Sequence, residues 1–126
     1  MANHKFFRCR HCGNFVGLIN NAGVPMKCCG ENMEELIANT TDAAVEKHVP
    51  VITAVDNGIK VAVGSVSHPM DAEHFIEFIY VNTENGGQRK SLALGAAPEA
   101  TFKFDNDKPI EVFGYCNLHG LWKVVL

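Results

Sequence analysis

Apolar and polar residues alternate along much of the chain beyond residue 45. Ile59, Val61 and Val63 are separated by Lys60 and Ala62, and Phe102 and Phe104 bracket Lys103. A period of two sets alternate side chains on one face of extended backbone, so these stretches predict strands with a single buried face. The same reading takes in VPVITAV, IKVAVGSV, HFIEFIYVNT, RKSLALG, EATFKF, IEVFGYC and GLWKVVL. Turn sequences lie between them: Asp56-Asn57-Gly58, ENGGQ and DNDKP. Asn57-Gly58 is a strong signal, because both residues tolerate the positive φ that a two-residue hairpin loop demands. About seven strands over roughly eighty residues, with frequent turns, predict an antiparallel β-sandwich.

Ahead of residue 45 the pattern is different. Residues 1–37 hold Cys9, Cys12, Cys28 and Cys29 but few residues able to build a core. A piece below ~40 residues needs a staple to fold. ENMEELI (31–37) is the one stretch with helical character, and it is short. The small, polar ANTTDAA (38–44) reads as a linker. The predicted organisation is therefore a cysteine-rich module over 1–37, a linker over 38–44 and a sandwich domain over 45–126, with no internal repeat.

Composition narrows the class. Apolar residues make up 47% of the 126 residues, enough for one real core, and the net charge of −3 comes from mixed signs without a run of like charges. That argues against a nucleic-acid binder, which concentrates basic residues on one surface. The start MANHKFFRCRHC lacks the apolar stretch of a signal peptide, and no segment has membrane-spanning length. A soluble protein of a reducing cytoplasm is expected. Five cysteines fit poorly with a closed disulfide framework. In a reducing compartment clustered thiols more often bind metal or do redox work; two disulfides and a spare thiol are the bland alternative.

The cysteine spacing is C-x2-C, fifteen residues, then C-C. Four thiolates so close in sequence can enclose a tetrahedral ion, and soft sulfur suits zinc and iron alike. Adjacent side chains on extended backbone point opposite ways, so Cys28 and Cys29 reach one ion only if the chain bends there, with a distorted angle at the ion. Gly13 and Gly30 follow each pair. Of the six histidines, His4 and His11 are assigned to surface or loop. His48, His68, His74 and His119 each border a predicted strand or turn. Any one of them alone is more often an exposed polar residue, and a lone Cys116 is more often an inert buried thiol. Cys116-x2-His119 in GYCNLHG changes that reading, because a tight turn at 117 and 118 brings both donors to one side. Four imidazoles and a thiolate are too many for a four-coordinate zinc site and suit a five-coordinate iron with one position open. Spacing alone does not show that the five converge.

EKHVPVI, VGSVSHPM, EHFIEFI and YCNLHGLW resemble the signature stretches of superoxide reductases, and the cysteine spacing is similar to that of desulforedoxin. Together the whole chain resembles the desulfoferrodoxins, the two-iron form, with no departure at a ligand position. The resemblance implies an immunoglobulin-like sandwich after a desulforedoxin-like module. It implies iron at Cys9, Cys12, Cys28 and Cys29, with zinc as the alternative, and no haem or nucleotide. A second iron is implied with His48, His68, His74 and His119 around its equator and Cys116 on its axis, and with Glu46 and Lys47 beside the open face. The implied reaction takes superoxide, one electron and two protons to hydrogen peroxide. Lys47 would draw in the anion, Glu46 would close the ferric site, and the thiolate would push electron density onto the iron so that peroxide leaves intact. A rubredoxin-like donor and a homodimer are implied as well, the dimer bringing one subunit's first iron closer to another's second. Three other readings stay open on residues alone: a non-enzymatic electron carrier, a zinc-stabilised binding module, and a superoxide dismutase.

Overall fold

The computed structural model describes residues 4–126, so the first three residues of the predicted 1–37 module lie outside it. The chain divides into two units, Met1–Ile37 and Ala38–Leu126. In the first, β1 (Lys5–Arg8) pairs antiparallel with β2 (Phe15–Leu18), and β3 (Lys27–Cys28) forms a small hairpin with β4 (Glu31–Asn32). Then β5 (Glu34–Leu36) joins the other edge of β1, giving the order β2-β1-β5. Among the described residues of this unit only Phe6 and Cys9 are buried. So little buried apolar surface is too small to hold the ladders by itself.

The helical expectation for 31–37 is wrong: that stretch forms β4 and β5. Glu, Met and Leu are good helix formers, but intrinsic propensity is a small preference that strand pairing overrides. The free edge of β1 takes up Glu34–Leu36 in register, and Glu34 is locked by Arg8 and Arg10 at 2.9 and 2.8 Å.

The second unit opens with one helical turn, α1 (Val45–His48), the only helix among the described residues. Seven strands follow: β6 (Pro50–Val55), β7 (Gly58–Val63), β8 (Ile76–Thr83), β9 (Gly86–Ser91), β10 (Glu99–Lys103), β11 (Pro109–Cys116) and β12 (Gly120–Val125). They form two antiparallel sheets, β10-β7-β6 and β12-β11-β8-β9. The predicted alternation is visible in β7, where Ile59, Val61 and Val63 are buried and Lys60 and Ala62 are not. These three and Phe102 pack with Ile79, Val81 and Val112 of the other sheet in one core.

The β6–β7 turn is one residue earlier than predicted. Val55 pairs with Gly58, so the loop is Asp56-Asn57, and Asn57 carries the positive φ of 56°. Gly58 is needed for a different reason: a Cβ there would lie 1.9 Å from the Phe102 carbonyl oxygen on β10. Residues 38–44 are tied down at Asn39, whose N–H donates to the Leu121 carbonyl (3.0 Å) and whose side chain bonds the backbone of Lys123. No helix among the described residues is long and apolar enough to cross a membrane.

Pairing registers bring several strand ends together. Pro50 opposes Val63, and Cys116 opposes both Ile76 and Gly120. The segments running into or out of these ends therefore gather at one end of the sandwich: α1, the 64–75 loop and the 117–119 turn.

Candidate metal centres

The first cluster lies in the cysteine-rich unit, where the Sγ atoms of Cys9, Cys12, Cys28 and Cys29 all fall within 4.8 Å of one another. The bend required between Cys28 and Cys29 exists. Cys29 has φ 53° and Gly30 φ 77°, so both central residues of the β3–β4 hairpin are left-handed, as a type I′ loop requires. That loop aims neighbouring sulfurs at one point. Cys12 Sγ and Cys28 Sγ are 3.5 Å apart. The knuckle before them is closed by Asn14, whose carbonyl accepts from the Cys9 N–H at 2.8 Å.

Proton affinities show what this cluster lacks. The Cys12 N–H beside Cys9 lowers that thiol to about 6. Cys28 is pushed up, first by Cys12, and Cys29 is pushed up to about 12 by the same neighbour and then by Cys9. One thiolate is accepted readily and further ones are opposed, because Cys28 and Cys29 keep their protons in hydrogen bonds to neighbouring sulfurs. A bound cation removes that conflict, so the four sulfurs fit a thiophilic metal ion. His11 stays outside the cluster, paired with Glu31 at 2.9 Å, and His4 rests on the Phe6 ring.

The second cluster stands at the end of the sandwich. Ligand atoms of His48, His68, His74 and Cys116 lie within 4.8 Å of one another. His119 completes the set: its Nδ1 is 3.2 Å from His48 Nε2 and 3.8 Å from Cys116 Sγ. The four rings form a closed square. Centroids are 4.8 Å apart for His48–His68, 4.6 Å for His68–His74, 5.0 Å for His74–His119 and 4.9 Å for His119–His48. The His48–His74 diagonal is 6.5 Å.

Each donor is aimed by its own local structure. His48 ends α1, and its Nδ1–H donates to the Ala44 carbonyl at 2.7 Å. His68 donates Nδ1–H to the Pro69 carbonyl, also at 2.7 Å. A carbonyl only accepts, so both rings carry their proton on Nδ1 and turn the Nε2 lone pair inward. His74 sits in a bridge with Asp71, its backbone N–H and carbonyl both bonded to that residue. Cys116 ends β11, and the His119 N–H donates to its sulfur at 3.4 Å. Trp122 stacks on the His48 ring at 4.9 Å and donates its indole N–H to the His119 carbonyl.

Burial, more than any neighbour, pushes His48, His68 and His74 down, with His68 near about 4, and pushes the Cys116 thiol up. Burial therefore favours the neutral form of these three rings. Buried His68 Nε2 and His74 Nε2 have no hydrogen-bond partner among the described residues. Two orphaned buried ring nitrogens among so many ligand atoms are costly unless a cation takes up their lone pairs. The set fits an iron ion. Glu46 and Lys47 are exposed on α1, and the Lys47 charge reaches the rings, since it helps to lower His48 and His74. The Glu46 carbonyl accepts from the Val66 N–H at 2.9 Å and from Ser65 Oγ.

The nine candidate ligands therefore lie in two clusters, and Glu46 and Lys47 share α1 with the ligand His48. Trp122 and Asn117 were not singled out, although both stand within the YCNLHGLW stretch; neither is a ligand type, so ligand spacing gave no reason to choose them.

A family model described as Desulfoferrodoxin matches residues 40–125, and one described as Desulfoferrodoxin, N-terminal domain, matches residues 2–36. Desulfoferrodoxin of Nitratidesulfovibrio vulgaris is 46% identical over 120 residues, covering 95% of this chain and 94% of that protein. Desulfoferrodoxin of Syntrophotalea carbinolica is 46% identical over 118 residues, covering 94% and 93%. The crystal structure of the superoxide reductase from Treponema pallidum is similar at a TM-score of 0.83 and 36% identity, covering 98% of this chain and 99% of that one. The chain belongs to the desulfoferrodoxin family.

Proposed function

We propose that this protein is a superoxide reductase that converts superoxide, one electron and two protons to hydrogen peroxide, with His48, His68, His74, His119 and Cys116 holding the catalytic iron. The carrying observation is the closed square of four imidazoles with a buried cysteine beside it, in a chain of this family. Iron held by these donors would supply the one-electron reducing chemistry that superoxide requires. The protein's own groups do the rest. Carbonyls of Ala44 and Pro69 fix the tautomers of His48 and His68, so these two rings offer an Nε2 lone pair without losing a proton. Trp122 holds the His48 ring flat and ties the turn carrying His119. Lys47 raises the local concentration of a small anion and stands ready to orient a proton donor toward it. Glu46 is the carboxylate that closes the site after turnover.

Each turnover consumes one electron, so a one-electron donor is required, and a small rubredoxin-like carrier in a reducing cytoplasm fills that role. Cys9, Cys12, Cys28 and Cys29 hold a second iron in the 1–37 module, which precedes a 45–126 catalytic domain in the sequence, and the protein acts as a homodimer. Sedimentation of the iron-loaded chain tests the dimer. The function is tested by stopped-flow mixing of the reduced, iron-loaded protein with superoxide. One peroxide per oxidised iron and no evolved oxygen are expected. Oxygen released alongside peroxide would assign a dismutase, and an unreacted second centre would leave only an electron carrier.

A further inference from the structure

We propose that Asn117 is the positioning residue of the second centre, tying the loop that carries His74 to the turn that carries Cys116 and His119. This rests on the reading that those donors share one iron.

The β8–β11 ladder fails where the site begins. Its register shifts between Tyr115 and Cys116, and the last pair is Ile76 with Cys116. Beyond that point the 71–75 loop has to be held in another way. Its inner bonds close on themselves: the Asp71 N–H donates to the His74 carbonyl at 3.0 Å, and the His74 N–H donates to the Asp71 carbonyl at 3.1 Å. Nothing in that pair fixes where His74 stands relative to Cys116.

Asn117 does. Its backbone N–H donates to the Phe75 carbonyl at 3.1 Å. Its Oδ1 accepts from the Phe75 N–H at 2.9 Å, and its Nδ2 donates to the Glu73 carbonyl at 2.9 Å. The three bonds straddle His74, one residue to each side. The amide orientation is forced, since the flipped form would set N–H against N–H and oxygen against oxygen. No other side chain of this length supplies one acceptor and one donor at such spacing. Asn117 thus continues a broken sheet with its side chain, and a shift of the His74 loop would open the square at its His68–His74 and His74–His119 sides. The Met70 sulfur, which accepts from the Ile76 N–H at 3.4 Å, is a further tether of this loop but reaches it from the core side.

The test compares full-length wild type with Asn117→Leu, which loses both side-chain bonds, and Asn117→Asp, which keeps the acceptor for Phe75 and loses the donor to Glu73. Ferrous iron is titrated against a competing chelator, and the visible thiolate-to-iron absorption of the ferric form is recorded. Affinity at the second centre is expected to fall about 10–100-fold in Asn117→Leu, the usual cost of removing an outer hydrogen bond to a metal site. The absorption should broaden and shift, and Asn117→Asp should fall between the two. Circular dichroism of the metal-free proteins should be alike, because the ladders end before Asn117. Unchanged affinity and an unchanged band in Asn117→Leu, or in Asn117→Asp if the leucine variant does not fold, would overturn the inference alone. Wild type that bound no iron at the histidines would overturn the functional reading and this inference with it.

Discussion

His68 is only 2% exposed, with its Nδ1–H spent on a carbonyl and its Nε2 unpartnered. Burial lowers its proton affinity from 6.5 to about 4. Between those values the unfolded chain holds a proton that the folded, metal-free chain does not. Stability of the metal-free protein is therefore expected to fall as pH drops from about 6.5 towards 4, and to be flat with respect to this group above that window. His48 and His74 are shifted in the same direction and steepen the fall. Thermal unfolding followed across this range checks it, and a His68→Gln variant should show a shallower slope; equal slopes would exclude His68 as a source. Lys47 acts through its field. Lys47→Glu should slow the second-order reaction with superoxide roughly tenfold and reverse its ionic-strength dependence, since an anionic substrate is then repelled. Rates that respond to salt as the wild type does would remove Lys47 from the steering role. The five donors could be nominated from residue type because ligand chemistry is restrictive, but only the family resemblance joined them in one site. Asn117 and Trp122 could not, because what they do depends on which backbone lies across from them.

Among the elements, two glycines separate conformational cost from steric cost. Gly30 sits at φ 77° with open space where a Cβ would go, and Gly64 sits at φ 87° with the Val66 carbonyl oxygen 2.3 Å and the Glu46 carbonyl oxygen 2.8 Å from that position. A left-handed L-residue costs about 1–2 kcal/mol. Gly30→Ala should cost that much and keep the absorption of the four-thiolate centre. Gly64→Ala should cost more, because the turn must move away from α1, and His48 with it; the absorption of the histidine centre should shift. Denaturant unfolding with visible spectra of the iron-loaded variants decides this, and equal behaviour of the two would refute the steric part. The strands were legible where period-two alternation ran for five residues or more, as in β7. α1 was not, since four residues span barely one turn and carry no periodicity. ENMEELI misled for the opposite reason: its composition suits a helix, but the open edge of β1 and the Arg8–Glu34–Arg10 ion pairs claim it as a strand.

At the scale of the molecule the two units are held by different means. Unit Ala38–Leu126 has a continuous buried core running from Ile59 to Cys116, whereas unit Met1–Ile37 buries only Phe6 and Cys9 among its described residues. Metal binding is therefore expected to supply much of the folding free energy of the smaller unit. Hydrogen exchange on a Cys12→Ser/Cys28→Ser chain should show β1, β2 and β5 losing amide protection. Protection equal to wild type would mean that something other than the metal holds this unit. The residues by themselves determined the β architecture of the larger unit and nominated the candidate donors, because side-chain period and ligand type are local properties; the resemblance to a family grouped the donors and pointed to their chemistry. Only the tertiary structure decided that His48, His68, His74 and His119 form a square beside Cys116, that Cys29 turns left-handed so adjacent sulfurs face one point, and that Asn117 bridges two ligand-bearing loops. Those facts depend on strand register and on where each ladder stops, which are set by pairing between segments far apart in the chain.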